Sequence, residues 1–218
     1  MNRFLIFDMD GVLINSEPFH KEVLEEVFRR KGLSMDDSYY NSLVGMSNKA
    51  IWLKAKDDFS LSPDIADLMK FHQDLFFDML EDRHIPQPEG MPELLERIRK
   101  LGVRCSLASS SPMKLIDVFV DRMGIAPLLD HKVSGESLPR SKPFPDIFLK
   151  VSALYGVPPE KFWVIEDSAH GVEAAVAAGM QCIGYRNPFS GNQNLEKAHM
   201  EIVHFDELND TVLQKLWK

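Results

Sequence analysis

The sequence predicts an α/β fold, a doubly wound parallel sheet with an inserted helical cap domain. Three observations carry this expectation. Short apolar runs recur at Phe4–Phe7, 103–108, 163–165 and 182–185, brief enough for strands and too uniformly apolar for strands with one face in water. Between them lie helical patterns that stop on glycine: 92–101 before Gly102, 113–123 before Gly124, and 146–155 before Gly156. Such alternation builds parallel βαβ units. From Ile14 to His84 the alternation lapses into three or four consecutive helices, which marks an insertion.

The first strand, Phe4-Leu5-Ile6-Phe7, runs straight into Asp8-Met9-Asp10-Gly11, so two carboxylates spill into the turn beyond its end. The first helix of the insertion shows Val23, Leu24, Val27 and Phe28 as one stripe and stops at Gly32. Its last helix has Ser62 as a natural N-cap and Pro63 at the first helical position. There Ile65, Leu68, Met69, His72, Phe76, Met79 and Leu80 share one face. Pro86 and Pro88 end the lobe. Lys132-Val133-Ser134 and Ile202-Val203 are two further strand candidates. Open α/β sheets bind ligands at the carboxyl ends of their strands, and the insertion begins and ends near the Asp8–Asp10 turn, so it is placed to act as a lid.

A chain of 218 residues accommodates one core with an inserted lobe. Hydrophobic residues at 44% and charged residues at 27% are ordinary for a globular protein, and no apolar run approaches the roughly eighteen residues of a membrane span. Met1-Asn2-Arg3 leads into the first strand without a cleavable signal pattern, so a cytoplasmic enzyme without membrane contact, and a monomer, are expected. The net charge of -8 argues against a nucleic-acid surface and leaves small anions, held by locally placed bases. Cys105 and Cys182 lie inside apolar strands, away from any metal or redox spacing, and read as inert buried thiols.

Several groups carry chemistry. Asp8 and Asp10 stand two positions apart, with Gly11 permitting the sharp turn that brings both toward one cavity. One carboxylate can attack while the other handles protons, and a divalent cation beside the first would keep it ionised. Glu166-Asp167 repeats the pattern at the end of another apolar strand, before Ser168, Gly171 and an alanine-rich helix; together the two sites offer the oxygen ligands of Mg²⁺. Ser109-Ser110-Ser111 closes the strand 103–108 and opens a helix at Pro112, which makes an anion site of hydroxyls and backbone N–H groups. Lys142 precedes Pro143-Phe144-Pro145-Asp146, a stiff mount for a cation. Taken singly, each has a plain structural reading: solvated acids in a turn, acids at a helix start, an N-cap serine, a surface lysine.

In order along the chain, Asp8 and Asp10, then Ser109, then Lys142, then Glu166 and Asp167 resemble the four motifs of the haloacid dehalogenase superfamily. The resemblance covers the core from Asn2 to about Tyr185, and the helical insertion resembles the cap of the β-phosphoglucomutase-like subfamily. Phe7-Asp8-Met9-Asp10-Gly11-Val12-Leu13 with Ser16-Glu17-Pro18, Lys142-Pro143-Phe144-Pro145-Asp146, and Glu166-Asp167-Ser168 with Gly171 are typical of it. It implies a Rossmann-like catalytic core over 1–14 and 85–218 and a helical cap over 15–84. It further implies that Asp8 forms an aspartyl phosphate while Asp10 acts as general acid and base. Ser109, Ser110 and Lys142 would hold the phosphoryl group. Mg²⁺ would be bound by the Asp8 side chain, the Asp10 carbonyl and Asp167, with Glu166 a direct or indirect ligand.

Asp10 excludes dehalogenation, where no leaving oxygen needs a proton. The acceptor is then water, in a phosphatase, or a second hydroxyl of a sugar phosphate, in a mutase. His20 falls where β-phosphoglucomutases carry a cap histidine, which favours the mutase. In Val44-Gly45-Met46-Ser47-Asn48-Lys49, however, Asn48 stands where that group has an arginine gripping the distal phosphate, and Lys49 lacks the bidentate fork. A second cap lysine has no equivalent near Leu75-Phe76-Phe77, Lys70 being the nearest. The expectation is therefore a Mg²⁺-dependent phosphatase acting on a small organic phosphate, with a sugar phosphate favoured. Trp52, Phe71, Phe76 and Phe77 read mostly as the cap's own core. A non-enzymatic phospho-acceptor resembling a receiver domain is the reading from another class, and the chain's length and Asp10 speak against it.

Overall fold

The computed structural model describes residues 3–44, 46, 48–81 and 83–217. Gly45 and Ser47 of the cap segment singled out above lie outside the described residues. In chain order the elements are β1 (Phe4–Phe7), α1 (Glu17–Arg30), α2 (Asp37–Asn41), α3 (Asn48–Asp58), α4 (Ile65–Leu80), α5 (Met91–Lys100) and β2 (Arg104–Ser109). There follow α6 (Met113–Met123), β3 (Leu129–Ser134), α7 (Asp146–Tyr155), β4 (Phe162–Glu166), α8 (Ala169–Ala177), β5 (Gln181–Tyr185), β6 (Met200–Ile202) and α9 (Asp210–Leu216). The chain divides into two compact units, Met1–Asn15 with Gln87–Lys218, and Ser16–Pro86.

The larger unit is built on one sheet in the order β3-β2-β1-β4-β5-β6, and every pairing in it is parallel. Successive strands step outward from β1 to β3 on one side, then restart at β4 on the other. The order therefore reverses beside β1, the place where such sheets open a crevice at their carboxyl ends. Every residue of β1 is buried, which accounts for its unbroken apolar sequence. On one face Phe4 and Ile6 join Phe148 and Val151 of α7, Phe162 and Val164 of β4, and Val172 and Ala175 of α8 in a single cluster. Small residues on α8 let that helix lie close to the sheet. Cys105 and Cys182 are both buried free thiols within strands, and burial pushes the Cys105 thiol up to about 12.

The smaller unit is wholly helical, α1 to α4, around an aromatic core. Trp52 and Phe28 are fully buried with ring centroids 5.9 Å apart, and Phe59 meets Phe28 edge-on at 5.5 Å. Trp52 Nε1 donates to Nδ1 of buried His72 at 3.2 Å. Burial, with His20 adding to it, drops His72 to about 4, so it is the neutral acceptor that this bond needs. Trp52 and Phe76 are buried, whereas Phe71 and Phe77 are half-buried, with the Lys31 ammonium 4.4 Å from the centre of the Phe71 ring.

One helix start differs from expectation. The N-cap of α4 is Asp64, whose Oδ1 accepts from Ala66 N at 3.4 Å, and not Ser62. Asp64 adjoins the first residue of the apolar face and caps at least as well as serine. Pro63 lies outside the helix, where its carbonyl accepts from Lys56 Nζ at 2.8 Å. Leu75, absent from the expected face, is buried on it. No helix among the described residues is long and apolar enough to cross a membrane.

Phe162 is fully buried, 4.9 Å from the Phe4 ring. Phe162→Ala is expected to cost about 3–5 kcal/mol in chemical denaturation of the core. A loss below about 1 kcal/mol would show that this cluster is not a tightly packed core.

Candidate active site

Parallel register sets three strand ends level with one another. Phe7 pairs with Leu107 on β2 and with Ile165 on β4, so Asp8, just past β1, is level with Glu166, the last residue of β4, and Ser109 ends β2. Asp8 N donates to Ile165 O at 3.1 Å, continuing the ladder by one bond. Lys142, its side chain only 8% exposed, enters from the connection between β3 and α7. Its Nζ lies 2.5 Å from Asp8 Oδ1, 2.5 Å from Glu166 Oε1 and 3.4 Å from Ala108 O. The mount is rigid. Arg140 forks onto Asp146 at 2.8 and 3.2 Å and stacks over Phe144, while the Lys142 ammonium lies 5.2 Å from the centre of the buried Phe148 ring.

Asp8, Glu166 and Asp167 form a buried group whose ligand oxygens all lie within 4.8 Å of one another. Among the described residues, one ammonium, that of Lys142, faces them. Burial raises Asp8 well above the usual carboxylate range; Lys142 pulls it down, but Glu166, Asp167 and Asp10 push it up. Burial likewise pushes Asp167 up to about 8, with Glu166 adding to it. Burial alone would lower Lys142, yet Asp8 and Glu166 outweigh it and hold the ammonium above its ordinary value. The cluster is thus short of positive charge, and a compact set of hard oxygen donors with that deficit fits a divalent cation such as Mg²⁺.

Within the cluster the roles differ. Glu166 Oε1 is taken by Lys142, and Oε2 accepts from Ser168 N at 3.2 Å and Ser168 Oγ at 2.9 Å. Its lone pairs are largely committed, which suits an indirect role better than direct ligation. Asp10 is half-buried, and its carboxylate stands outside the three-residue group. Asp10 Oδ2 accepts from Ser111 Oγ at 2.8 Å and, longer, from Ser109 Oγ at 3.5 Å. Ser109 Oγ also accepts from Ser111 N at 3.0 Å, and Ser134 Oγ donates to Ser111 O at 2.7 Å. A carboxylate beside two hydroxyls and next to a charged cluster can carry a proton back and forth, whereas Asp8 is buried and held by Lys142.

The model of the haloacid dehalogenase-like hydrolases matches residues 5–185. The chain belongs to that family. It is 30% identical over 212 residues to a CBBY-like protein of Arabidopsis thaliana, covering 89% of this chain and 66% of that one. It is 28% identical over 183 residues to a phosphorylated carbohydrates phosphatase of Thermotoga maritima, covering 82% of each. A solved hydrolase of the same superfamily from Entamoeba histolytica superposes with a TM-score of 0.85 at 25% identity, over 99% of both chains. The chain spans just under two thirds of the Arabidopsis CBBY-like protein, and 18% of the chloroplastic Suppressor of Quenching 1 from the same plant, to which it is 32% identical.

In this haloacid dehalogenase-like hydrolase the core unit brings together Asp8, Asp10, Ser109, Lys142, Glu166 and Asp167. Ser110 is exposed, and its hydroxyl takes no part in the bonds just described. His20 and Asn48 belong to the helical unit: His20 packs against Phe76 at 4.9 Å, and Asn48 opens α3 with a buried Oδ1 that has no hydrogen-bond partner. Sequence reasoning passed over the individual role of Ser111, which was named only as part of a serine run. It missed Asn187 and Ser190 altogether. Ser190 Oγ donates to Asp167 Oδ2, and Asn187 Nδ2 donates to Gly11 O at 2.6 Å. The available signal was an Asn-Pro pair directly after an apolar strand, on the ligand-binding edge of the sheet.

The raised Asp167 sets a pH dependence. Without a metal the folded protein keeps that proton to about pH 8, whereas the unfolded chain releases it near 3.8. The fold then binds more protons than the unfolded chain, and its stability falls as pH rises through that interval. Urea midpoints measured in a chelator are expected to drop from about pH 5 to about pH 8, and Asp167→Asn should remove much of the drop. Identical profiles for the two proteins would contradict this reading of Asp167.

Proposed function

We propose that this hydrolase is a Mg²⁺-dependent phosphatase that cleaves a small organic phosphate monoester, a sugar phosphate being the favoured class. The observation that carries the reading is the buried cluster of Asp8, Glu166 and Asp167 on a single lysine, with Asp10 two residues from Asp8 on serine hydroxyls. A phosphate ester brings further negative charge, so such a site needs a cation, and Asp8 and Asp167 are the residues that would hold it. When bound, Mg²⁺ neutralises the phosphoryl oxygens and keeps Asp8 ionised.

Asp8 attacks phosphorus: its oxygen forms the new P–O bond as the ester P–O bond breaks, and Asp10 gives its proton to the leaving oxygen. Water then attacks the aspartyl phosphate while Asp10 takes a proton from it, releasing Asp8 and inorganic phosphate. Lys142, from the connection between β3 and α7, and Ser109, at the end of β2, balance the equatorial oxygens in transit. The family lends the reaction class, and the Thermotoga relative is named for phosphorylated carbohydrates, which points to the sugar class here.

Hydrolysis is preferred to transfer onto a second sugar hydroxyl because, among the described residues, neither position compared with a mutase's distal-phosphate grips carries a free cation. Asn48 carries no charge, and Lys70 is exposed and paired with Asp74 at 2.6 Å.

Purified protein with Mg²⁺ is expected to release phosphate steadily from p-nitrophenyl phosphate and from a panel of sugar monophosphates. Asp8→Asn should lower kcat by more than about a thousandfold, and Lys142→Ala by about a hundredfold or more. A stoichiometric burst without turnover would sink the enzyme reading. Conversion of β-glucose 1-phosphate to glucose 6-phosphate with little phosphate release would replace the phosphatase by a mutase.

A further inference from the structure

The loop after β5 reaches back into the site through three side chains. Asn187 is buried, and its amide is fully engaged: Nδ2 donates to Gly11 O at 2.6 Å and Asn15 Oδ1 at 2.8 Å, while Oδ1 accepts from Phe189 N at 2.7 Å. Ser190 is buried one turn further on, its N donating to Asn187 O at 3.2 Å and its hydroxyl to Asp167 Oδ2. Gln193 closes the loop: Nε2 donates to Ser190 O at 3.0 Å, and Oε1 accepts at 3.0 Å from the N of Ala169, the first residue of α8. The loop is thus pinned at one end to the turn carrying Asp10 and at the other to the helix that follows Asp167.

Gly11 shows how tightly these parts fit. It sits at φ +81°, and a Cβ there would lie 1.8 Å from Asp167 Oδ2 and 3.0 Å from Ser190 Oγ. Backbone, carboxylate and hydroxyl share one packed wall. A buried carboxylate with several rotamers open to it would lose affinity for a cation through that freedom, and a single well-placed donor removes it.

We propose that Ser190 is a positioning residue for Asp167. Its hydroxyl occupies Oδ2 and fixes the carboxylate so that Oδ1 is the oxygen left for the cation, and Asn187 and Gln193 hold the serine in place. This rests on the reading of Asp8 and Asp167 as cation ligands.

The test is titration calorimetry of Mg²⁺ into the full-length protein, without substrate, for the wild type, Ser190→Ala, Ser190→Thr and Ser190→Val. Ser190→Ala is expected to weaken Mg²⁺ binding about 10- to 100-fold, with the thermal midpoint in a chelator little changed. Ser190→Thr should bind Mg²⁺ within a few-fold of the wild type, and Ser190→Val, of the same shape without the hydroxyl, should bind as weakly as alanine. Because threonine and valine fill the same space, their comparison decides the matter even if alanine fails to fold. Wild type and Ser190→Ala binding Mg²⁺ within twofold of each other, or threonine binding no better than valine, would overturn the role of Ser190 alone. A wild type without any Mg²⁺ isotherm would overturn the cation reading beneath it.

Discussion

One ammonium set between two buried carboxylates organises the core unit. Lys142 lies 2.5 Å from both Asp8 and Glu166, out of water, and burying any one of these charges alone would be prohibitive. The pair of contacts makes the cost bearable without cancelling it, because the neighbouring Asp167 leaves the group negative. Burial is the main cause of the raised Asp8 and Asp167, and that residual imbalance adds to it. A site optimised for the stability of the empty fold would not be arranged this way. A cation is what such an imbalance would accommodate, and the proposed phosphate ester would then bring its negative charge to that cation.

The same fold separates two aspartates two residues apart into different chemical worlds. Asp8 directly follows a strand buried on both faces and continues its ladder, so its carboxylate is fixed and desolvated. Asp10 lies in the turn beyond, where Gly11 N donates to Ile14 O and Leu13 N to Met9 O, and keeps part of its surface in water. One environment suits an atom that must form a bond to phosphorus along a set line. The other suits an atom that must exchange protons with leaving group and solvent.

Much of this was legible in the residues because the signals were local. Uniformly apolar four- to six-residue runs had to be buried parallel strands, and polar residues at their ends had to gather on one edge of the sheet. The place of Asp8, Ser109, Glu166 and Asp167 on that edge follows from the rule, whereas their reading as one site, Lys142 included, came from the order of the motifs along the chain. Ser62 misled because Ser-Pro-Asp holds two good caps two residues apart, and only packing of Ile65 and Leu68 chooses between them. Asn187 and Ser190 were hard to read for a different reason, their one signal being the Asn-Pro pair. Asn-Pro-Phe-Ser is an ordinary turn sequence, and the bond from Asn187 to Gly11 spans 176 positions of chain, so its meaning exists only once β1 and β4 are side by side and β5 has delivered the loop.

That long-range closure bears on why the first turn tolerates so little variation in shape. Gly11 is constrained three times over: by its positive φ, by the Asp167 carboxylate in the space a Cβ would fill, and by the Asn187 amide on its carbonyl. Asp167 is constrained in return by Gly11 on one side and Ser190 on the other. The turn carrying Asp10 and the Asp167 carboxylate are therefore packed into one wall. Displacing Asp167 would press on Gly11, and twisting the Gly11 turn would shift Asp10, one residue before it. If Asp10 passes the proton and Asp167 holds the cation, as proposed, this packing is what relates their two positions without either side chain having to touch the other.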